Sequence, residues 1–248
     1  MRMQGAAALV TGASRGLGEA LGRALAREGA RVVLVARGRA DLERVASDIR
    51  DEGGEAHALV GDIANKGHIH RLAGAAAALV GPVDLLVHNA STLGRTPLRL
   101  LLDTECEDLE RVLAVNLVGP FRLTKALGGS MAVRGGGLVL HVSSDAALNA
   151  YPGWGAYGVS KAALDHLGRI WAAELRDGGV RFLVVDPGEM DTAMHALAMP
   201  DADRAGLARP AAVAARIVDI IRAAETLESG ARLEVAAWSP RPADRAAS

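Results

Sequence analysis

Ala6-Ala7-Ala8-Leu9-Val10-Thr11-Gly12-Ala13-Ser14-Arg15-Gly16-Leu17-Gly18 is the stretch on which the architecture turns. The apolar run Ala6 to Val10 reads as a short strand buried on both faces. Glycines after it let the backbone turn sharply and lie close to a pyrophosphate. A helical pattern follows, and a helix start offers free N–H groups and a positive dipole end. Strand, glycine loop and helix in that order are the context a dinucleotide site needs; the competing reading is an ordinary tight turn. No lysine follows Gly18, which argues against a nucleoside triphosphate loop. Arg2 ahead of the apolar run superficially matches a secretory leader, but the run is short and leads directly into the glycine loop.

The same alternation continues along all 248 residues. Apolar runs at Val32–Val35, Ala56–Gly61, Asp84–His88, Leu138–Val142, Val180–Val185 and Leu233–Val235 predict six further strands. Helical patterns lie near 17–28, 40–52, 66–80, 105–131, 155–176 and 210–224. Strand–helix alternation predicts an α/β fold, a parallel sheet with helices on both faces, in a single domain over 1–238. The tail 239–248, with two prolines and three charged residues, is expected to be disordered. Two irregular regions, Ala146–Val159 and 186–209, follow the fifth and sixth strands, where ligands bind in open α/β sheets.

Composition excludes several functions. A net charge of -1 and 3% aromatic residues speak against nucleic-acid binding by a basic surface or by stacking. The longest strongly apolar stretch, Leu72–Val83, is shorter than the roughly 18 residues that a membrane span needs. Cys106 is the single cysteine, so an intrachain disulfide and a cysteine metal cluster are both impossible, in keeping with a reducing, cytoplasmic setting. The histidines suggest no metal site. His68 and His70 fall on different helix faces, and His88 and His141 lie in strand patterns where such residues are usually core. His195 is the one histidine placed to reach a substrate.

The second strand ends Leu34-Val35-Ala36-Arg37, where a dinucleotide site commonly carries an acid for the ribose 2′-hydroxyl. An arginine there suits a 2′-phosphate, and Arg15 adds a second positive charge; the alternative is that both are solvated surface charges. Together they favour NADP over NAD. Asp62 and Asn89 end the third and fourth strands, placed either to hydrogen-bond an adenosine moiety or to serve as turn and cap residues.

A second motif, Tyr157-Gly158-Val159-Ser160-Lys161, puts Tyr157 and Lys161 on one helix face. A phenol ordinarily titrates near 10, and a neighbouring ammonium is expected to lower that value and make the pair an acid–base device. Ser144, just past the fifth strand, can present its hydroxyl to a substrate oxygen. Pro120 lies four residues after Asn116 and has no N–H, so the Asn116 carbonyl loses its normal helical partner; the alternative is a simple kink at Gly119-Pro120.

In these motifs the chain resembles the short-chain dehydrogenase/reductase family over about residues 5–235. The glycine loop, Asp62, Asn89-Ala90, Asn116, Ser144, Tyr157, Lys161 and Pro187-Gly188 occur in the family's order and spacing. The resemblance implies a doubly wound, Rossmann-like seven-stranded sheet, a nicotinamide cofactor, and hydride transfer between it and a ketone, aldehyde or secondary alcohol. It implies Tyr157 as acid–base group, Ser144 polarising the carbonyl, and Lys161 on the nicotinamide ribose. Asn116 would hold a water of the proton relay, and Thr192 would touch the carboxamide. Cofactor contacts are expected from Gly12, Ser14, Arg15, Gly16, Leu17, Gly18, Arg37, Asp62, Ile63, Asn89, Ala90, Tyr157, Lys161, Pro187, Gly188 and Thr192. The chain departs from the pattern at His88-Asn89-Ala90-Ser91, where Asn-Asn-Ala-Gly is usual, which alters local hydrogen bonding. It also lacks the common Asp-Gly-Gly after the last strand, reading Val235-Ala236-Ala237-Trp238. The helices 105–131 and 155–176 are the surfaces expected to pair in a homodimer or homotetramer. Two other readings remain: a non-catalytic, NADP-sensing or scaffold protein on the same fold, and a lyase or epimerase using the cofactor transiently.

Overall fold

The computed structural model describes residues 1–240, so the expected tail lies outside the described residues from 241 onward. Seven strands form one parallel sheet: β1 (Ala7–Thr11), β2 (Arg31–Ala36), β3 (Glu55–Val60), β4 (Leu85–His88), β5 (Gly137–Val142), β6 (Val180–Asp186) and β7 (Arg232–Glu234). Their order is β3-β2-β1-β4-β5-β6-β7. The winding reverses between β1 and β4, and this switch point opens the crevice where ligands bind in such sheets.

Alternate residues of each strand serve opposite faces, and both faces are covered. In β1, Ala8 and Val10 pack on one side while Ala7 and Leu9 pack on the other. That is why the runs read as continuously apolar. The first face carries α1 (Gly16–Arg27), α2 (Arg39–Asp51) and α8 (Pro210–Arg222). They bury Leu17, Leu21 and Leu25, then Leu42, Val45 and Ile49, then Val213, Ile217 and Ile221, each set at helical spacing. The second face carries α3 (Lys66–Val80), α5 (Gly119–Val133) and α6 (Gly155–Glu174), with Ile69, Leu72, Leu123, Leu127 and Met131 in its core.

Most expected elements lie within one or two residues of those observed. The expected helix 105–131 is instead α4 (Cys106–Leu113), a wider π turn (Ala114–Val118), and α5. The Gly119 N–H donates to the Ala114 carbonyl, five residues back. Pro120, in the first turn of α5, has no N–H with which to continue the regular ladder. Region 186–209 holds an unforeseen short helix, α7 (Ala193–Ala198), and a bridge between Met190 and Ala208. No helix of the described residues is long and apolar enough to cross a membrane.

Candidate active site

A cavity of about 1180 Å³ opens over the carboxyl ends of β1, β2, β4, β5 and β6. Every expected cofactor-contacting residue lines it, as do Ser144, Tyr157 and Lys161. The β1–α1 loop forms its floor. Gly12 has φ +67, and a Cβ there would stand 2.7 Å from the Ala90 Cα. A Cβ on Gly18 would collide with the Gly12 carbonyl oxygen. The glycines thus allow α1 to start tight against the end of β4. Arg15 stands at the N-cap of α1 and its side chain makes no cap bond, so the first amides of α1 have no side-chain partner.

Asn89 lines the cavity and also braces its floor. Its Nδ2 donates to the carbonyls of Thr11 at 2.9 Å and Gly12 at 3.2 Å, so both amide hydrogens brace the loop. The Thr11 hydroxyl accepts the main-chain N–H groups of Asn89 and Ala90, each at 3.1 Å. Asp62 is a turn residue: its Oδ1 accepts the Ala64 N–H at 2.9 Å, and the residue lines the cavity beside Ile63. Arg15 and Arg37 are exposed on the cavity rim and make no ion pair among the described residues. Asp41 lines the same cavity from the first turn of α2.

At the other end, α6 carries Tyr157 and Lys161 one turn apart, both buried. Lys161 Nζ donates to the Val142 carbonyl at 2.7 Å and stands 5.5 Å from the Tyr157 ring centroid. The expected lowering of the phenol by this ammonium is not what the structure gives. Burial dominates and pushes Tyr157 up to about 12, with Asp186 and Asp145 adding to the effect and the Ser144 and Ser91 hydroxyls opposing it. Lys161 is itself pushed down to about 8 by burial, against the pull of Asp165 and Asp186. The ammonium faces a main-chain carbonyl rather than the phenol oxygen.

A family model of short chain dehydrogenases matches residues 6–203. The chain belongs to the short-chain dehydrogenase/reductase family. An uncharacterized oxidoreductase of Mycobacterium tuberculosis is 34% identical over 245 residues, covering 94% of this chain and 92% of the relative. Among solved structures, a 7α-hydroxysteroid dehydrogenase complexed with NADH and 7-oxo glycochenodeoxycholic acid is similar, with TM-score 0.86 and 29% identity. The match covers 94% of this chain and 93% of that one. A metagenomic short-chain oxidoreductase in complex with NADP has TM-score 0.80 and 30% identity, covering 94% and 97%.

The remaining site residues of this short-chain dehydrogenase form two braces. Asn116, 1% exposed, accepts the Thr92 N–H on Oδ1 at 2.8 Å. Its Nδ2 donates to the Thr92 carbonyl and to Ser160 Oγ, each at 2.9 Å. Ser160 Oγ in turn donates to the Tyr157 carbonyl at 2.6 Å. The side chain of Asn116 therefore ties the segment after β4 to the start of α6. Ser144 Oγ donates to Asp145 Oδ1 at 3.0 Å and accepts the Ala146 N–H at 3.2 Å. Asp145 Oδ2 accepts the Tyr151 hydroxyl at 2.9 Å. Thr192 caps α7 by accepting the His195 N–H at 3.2 Å, and its methyl lies against Gly16. Gly188 turns at φ +71 after Asp186-Pro187. His195 lines the cavity with its Nε2 at 3.8 Å from Glu189 Oε1.

Sequence reasoning missed Ser160, Asp145 and Asp186. Ser160 had a visible signal, because it lies inside the Tyr157–Lys161 motif and three residues after the tyrosine. Ser91 stood out only as a departure from the family pattern, yet it lines the cavity and its hydroxyl acts to lower the Tyr157 phenol.

Proposed function

We propose that residues 1–238 form one NADP-dependent oxidoreductase unit that interconverts a ketone or aldehyde and the matching alcohol, with Tyr157 as the acid–base group. The observation that carries this reading is a single cavity with Tyr157, Lys161 and Ser144 at one end and the uncapped start of α1 beside Arg15 and Arg37 at the other. The chain's residues fit a dinucleotide. Unpartnered amides at a helix start suit a pyrophosphate, and the guanidinium groups of Arg37 after β2 and Arg15 at the start of α1 suit a 2′-phosphate. Asp62, Ile63 and Ala90 would hold the adenosine side, and Pro187, Gly188 and Thr192 the nicotinamide side.

A nicotinamide, when bound, supplies or takes the hydride. In the reducing direction Tyr157 starts protonated, because burial holds its pKa at about 12. It donates this proton to the carbonyl oxygen as negative charge gathers there. Ser144 Oγ rotates its hydrogen away from Asp145 and donates to the same oxygen. The buried Lys161 ammonium, 5.5 Å from the Tyr157 ring centroid, then stabilises the phenolate through space. The Asn116 side chain ties Thr92 to Ser160, and because Pro120 has no N–H to donate to the Asn116 carbonyl, we assign that carbonyl to a relay water. In the oxidising direction the same groups act in reverse.

The NADP preference is supported by Arg15 and Arg37 rather than by the two similar structures above, one of which is complexed with NADH and the other with NADP. The substrate is read as a small molecule held against the partly apolar wall of Tyr151, Trp154 and Met194. We place the protein in the cytoplasm as a homodimer or homotetramer packing through α5 and α6, where Phe121 and Ile170 are exposed. The test is the absorbance of NADPH and of NADH with a panel of ketones and aldehydes. Net oxidation of NADPH in preference to NADH supports the reading. Tight NADPH binding with no turnover of any carbonyl favours the sensing or transient-cofactor alternatives and overturns it.

A further inference from the structure

Behind the cavity wall lies a buried cluster of charges that the steps above do not use. Arg232 enters on β7 and turns inward, with its side chain 18% exposed. Its Nε donates to Asp165 Oδ2 at 3.1 Å. Its Nη2 donates to Asp186 Oδ2 at 2.8 Å and to the Ser144 carbonyl at 3.0 Å. The two carboxylates are 7% and 9% exposed. Each contact leads to a different part of the site. Asp165 lies on α6 four residues beyond Lys161 and eight beyond Tyr157, so all three share a face. Asp186 ends β6, and its Oδ1 accepts the Gly188 N–H at 3.0 Å. The Ser144 carbonyl also accepts the Ala147 N–H at 3.1 Å, which sets the turn after β5.

Among the buried groups charge is balanced: Arg232 and Lys161 supply two positive groups against Asp165 and Asp186, and the exposed Glu234 carboxylate lies 3.9 Å from Arg232 on the outside. A buried charge without its partner is costly, so Arg232 and the two carboxylates hold one another in place, while the Lys161 ammonium feels both carboxylates through space. A guanidinium is needed for the geometry: its planar fork reaches two carboxylates and a carbonyl at once, whereas an ammonium is a single point. We propose that Arg232 is a positioning residue whose guanidinium fixes the Ser144 main chain and the Asp186–Gly188 turn against the Tyr157–Lys161 face of α6. The carbonyl-polarising hydroxyl, the proton donor and the nicotinamide-facing turn then keep one spacing. This inference rests on the roles proposed above for Ser144 and Tyr157.

The test uses the full chain with Arg232→Gln and two readouts. The first is amide hydrogen exchange at Ala147 and Gly188 in the ligand-free protein. Both amides should exchange faster together, by roughly tenfold, while those of β1 and β2 do not change. The second is steady-state turnover of a carbonyl that the wild type accepts. Misplacement of a polarising group by about an ångström costs about 10²-fold, so kcat should fall by roughly 10- to 100-fold. KM and the NADPH Kd should rise by no more than about threefold, since only the nicotinamide-facing turn loosens while the glycine-loop and Arg37 contacts remain. Should Arg232→Gln fail to fold, Asp165→Asn weakens one arm only and should show the same split at roughly three- to tenfold. Unchanged exchange at Ala147 and Gly188 in a folded variant overturns the inference, as does a lowered melting temperature with wild-type kcat. A wild type that turns over no carbonyl refutes the proposed function, and the exchange result still decides the role of Arg232.

Discussion

Tyr157→Phe removes one oxygen from the centre of the site and leaves almost everything else. The ring packs edge-on against Trp154 with centroids 5.8 Å apart, and beside Leu93 and Ala146. Phenylalanine keeps those contacts. Ser144 Oγ keeps its bonds to Asp145 and to the Ala146 N–H when the phenol hydroxyl is lost. Stability should therefore change by only about 1 kcal/mol. The glycine loop, Arg37 and Asp62 do not touch the ring, so NADPH affinity should be close to that of the wild type. Turnover should not survive. The developing alkoxide loses its proton donor, and general acid catalysis is worth about 10²- to 10⁴-fold. That corresponds to about 2.7–5.4 kcal/mol on the barrier. The assay is single-turnover NADPH oxidation with an accepted carbonyl, alongside NADPH titration and a melting curve. A folded Tyr157→Phe protein that oxidises NADPH at the wild-type rate would refute the assignment and the acid–base chemistry built on it.

Three further outcomes follow from the geometry. Arg37→Asp should weaken NADPH by about tenfold or more and NADH little, since a charge-assisted contact is worth about 1.5–3 kcal/mol and this exposed site is partly screened; isothermal titration with both cofactors checks it, and equal affinities would remove Arg37 from the cofactor site. Gly18→Ala should cost about 1–3 kcal/mol by overpacking against Gly12 and Asn89, and should abolish cofactor binding before it abolishes folding; denaturant titration and NADPH binding measure the two effects separately. His141 is buried in β5 beside His88, and burial pushes it down to about 4. Its neutral form is the one that folds, so its contribution is complete above about pH 6.5 and is lost as pH falls from there towards 4, by about 3 kcal/mol in all. Urea midpoints between pH 7 and 4.5 should fall accordingly, and His141→Leu should flatten that slope; an equal slope in the variant would place the acid sensitivity elsewhere.

Local pattern was enough for the skeleton. Seven apolar runs alternating with helical periodicity specify a parallel sheet covered on both sides, because only a strand buried on both faces can be apolar at every position. The glycine loop and the Tyr157–Lys161 pair were legible for the same reason: their geometry is set within a few residues, by a tight turn and by one helical repeat. Arg37 was legible because a strand end of known direction places it. What lay beyond reach depends on contacts between distant segments. That Asn89 spends its amide hydrogens on Thr11 and Gly12 follows from β4 pairing with β1. That Arg232 meets Asp186 and Asp165, 46 and 67 residues away, follows from β7 pairing with β6 beneath α6. The phenol of Tyr157 was expected to be lowered by its lysine and is raised instead. Spacing along a helix tells which groups are near, but only the packed structure decides how much water is excluded and which carboxylates face the phenol, and in this site burial together with Asp186 and Asp145 holds it up.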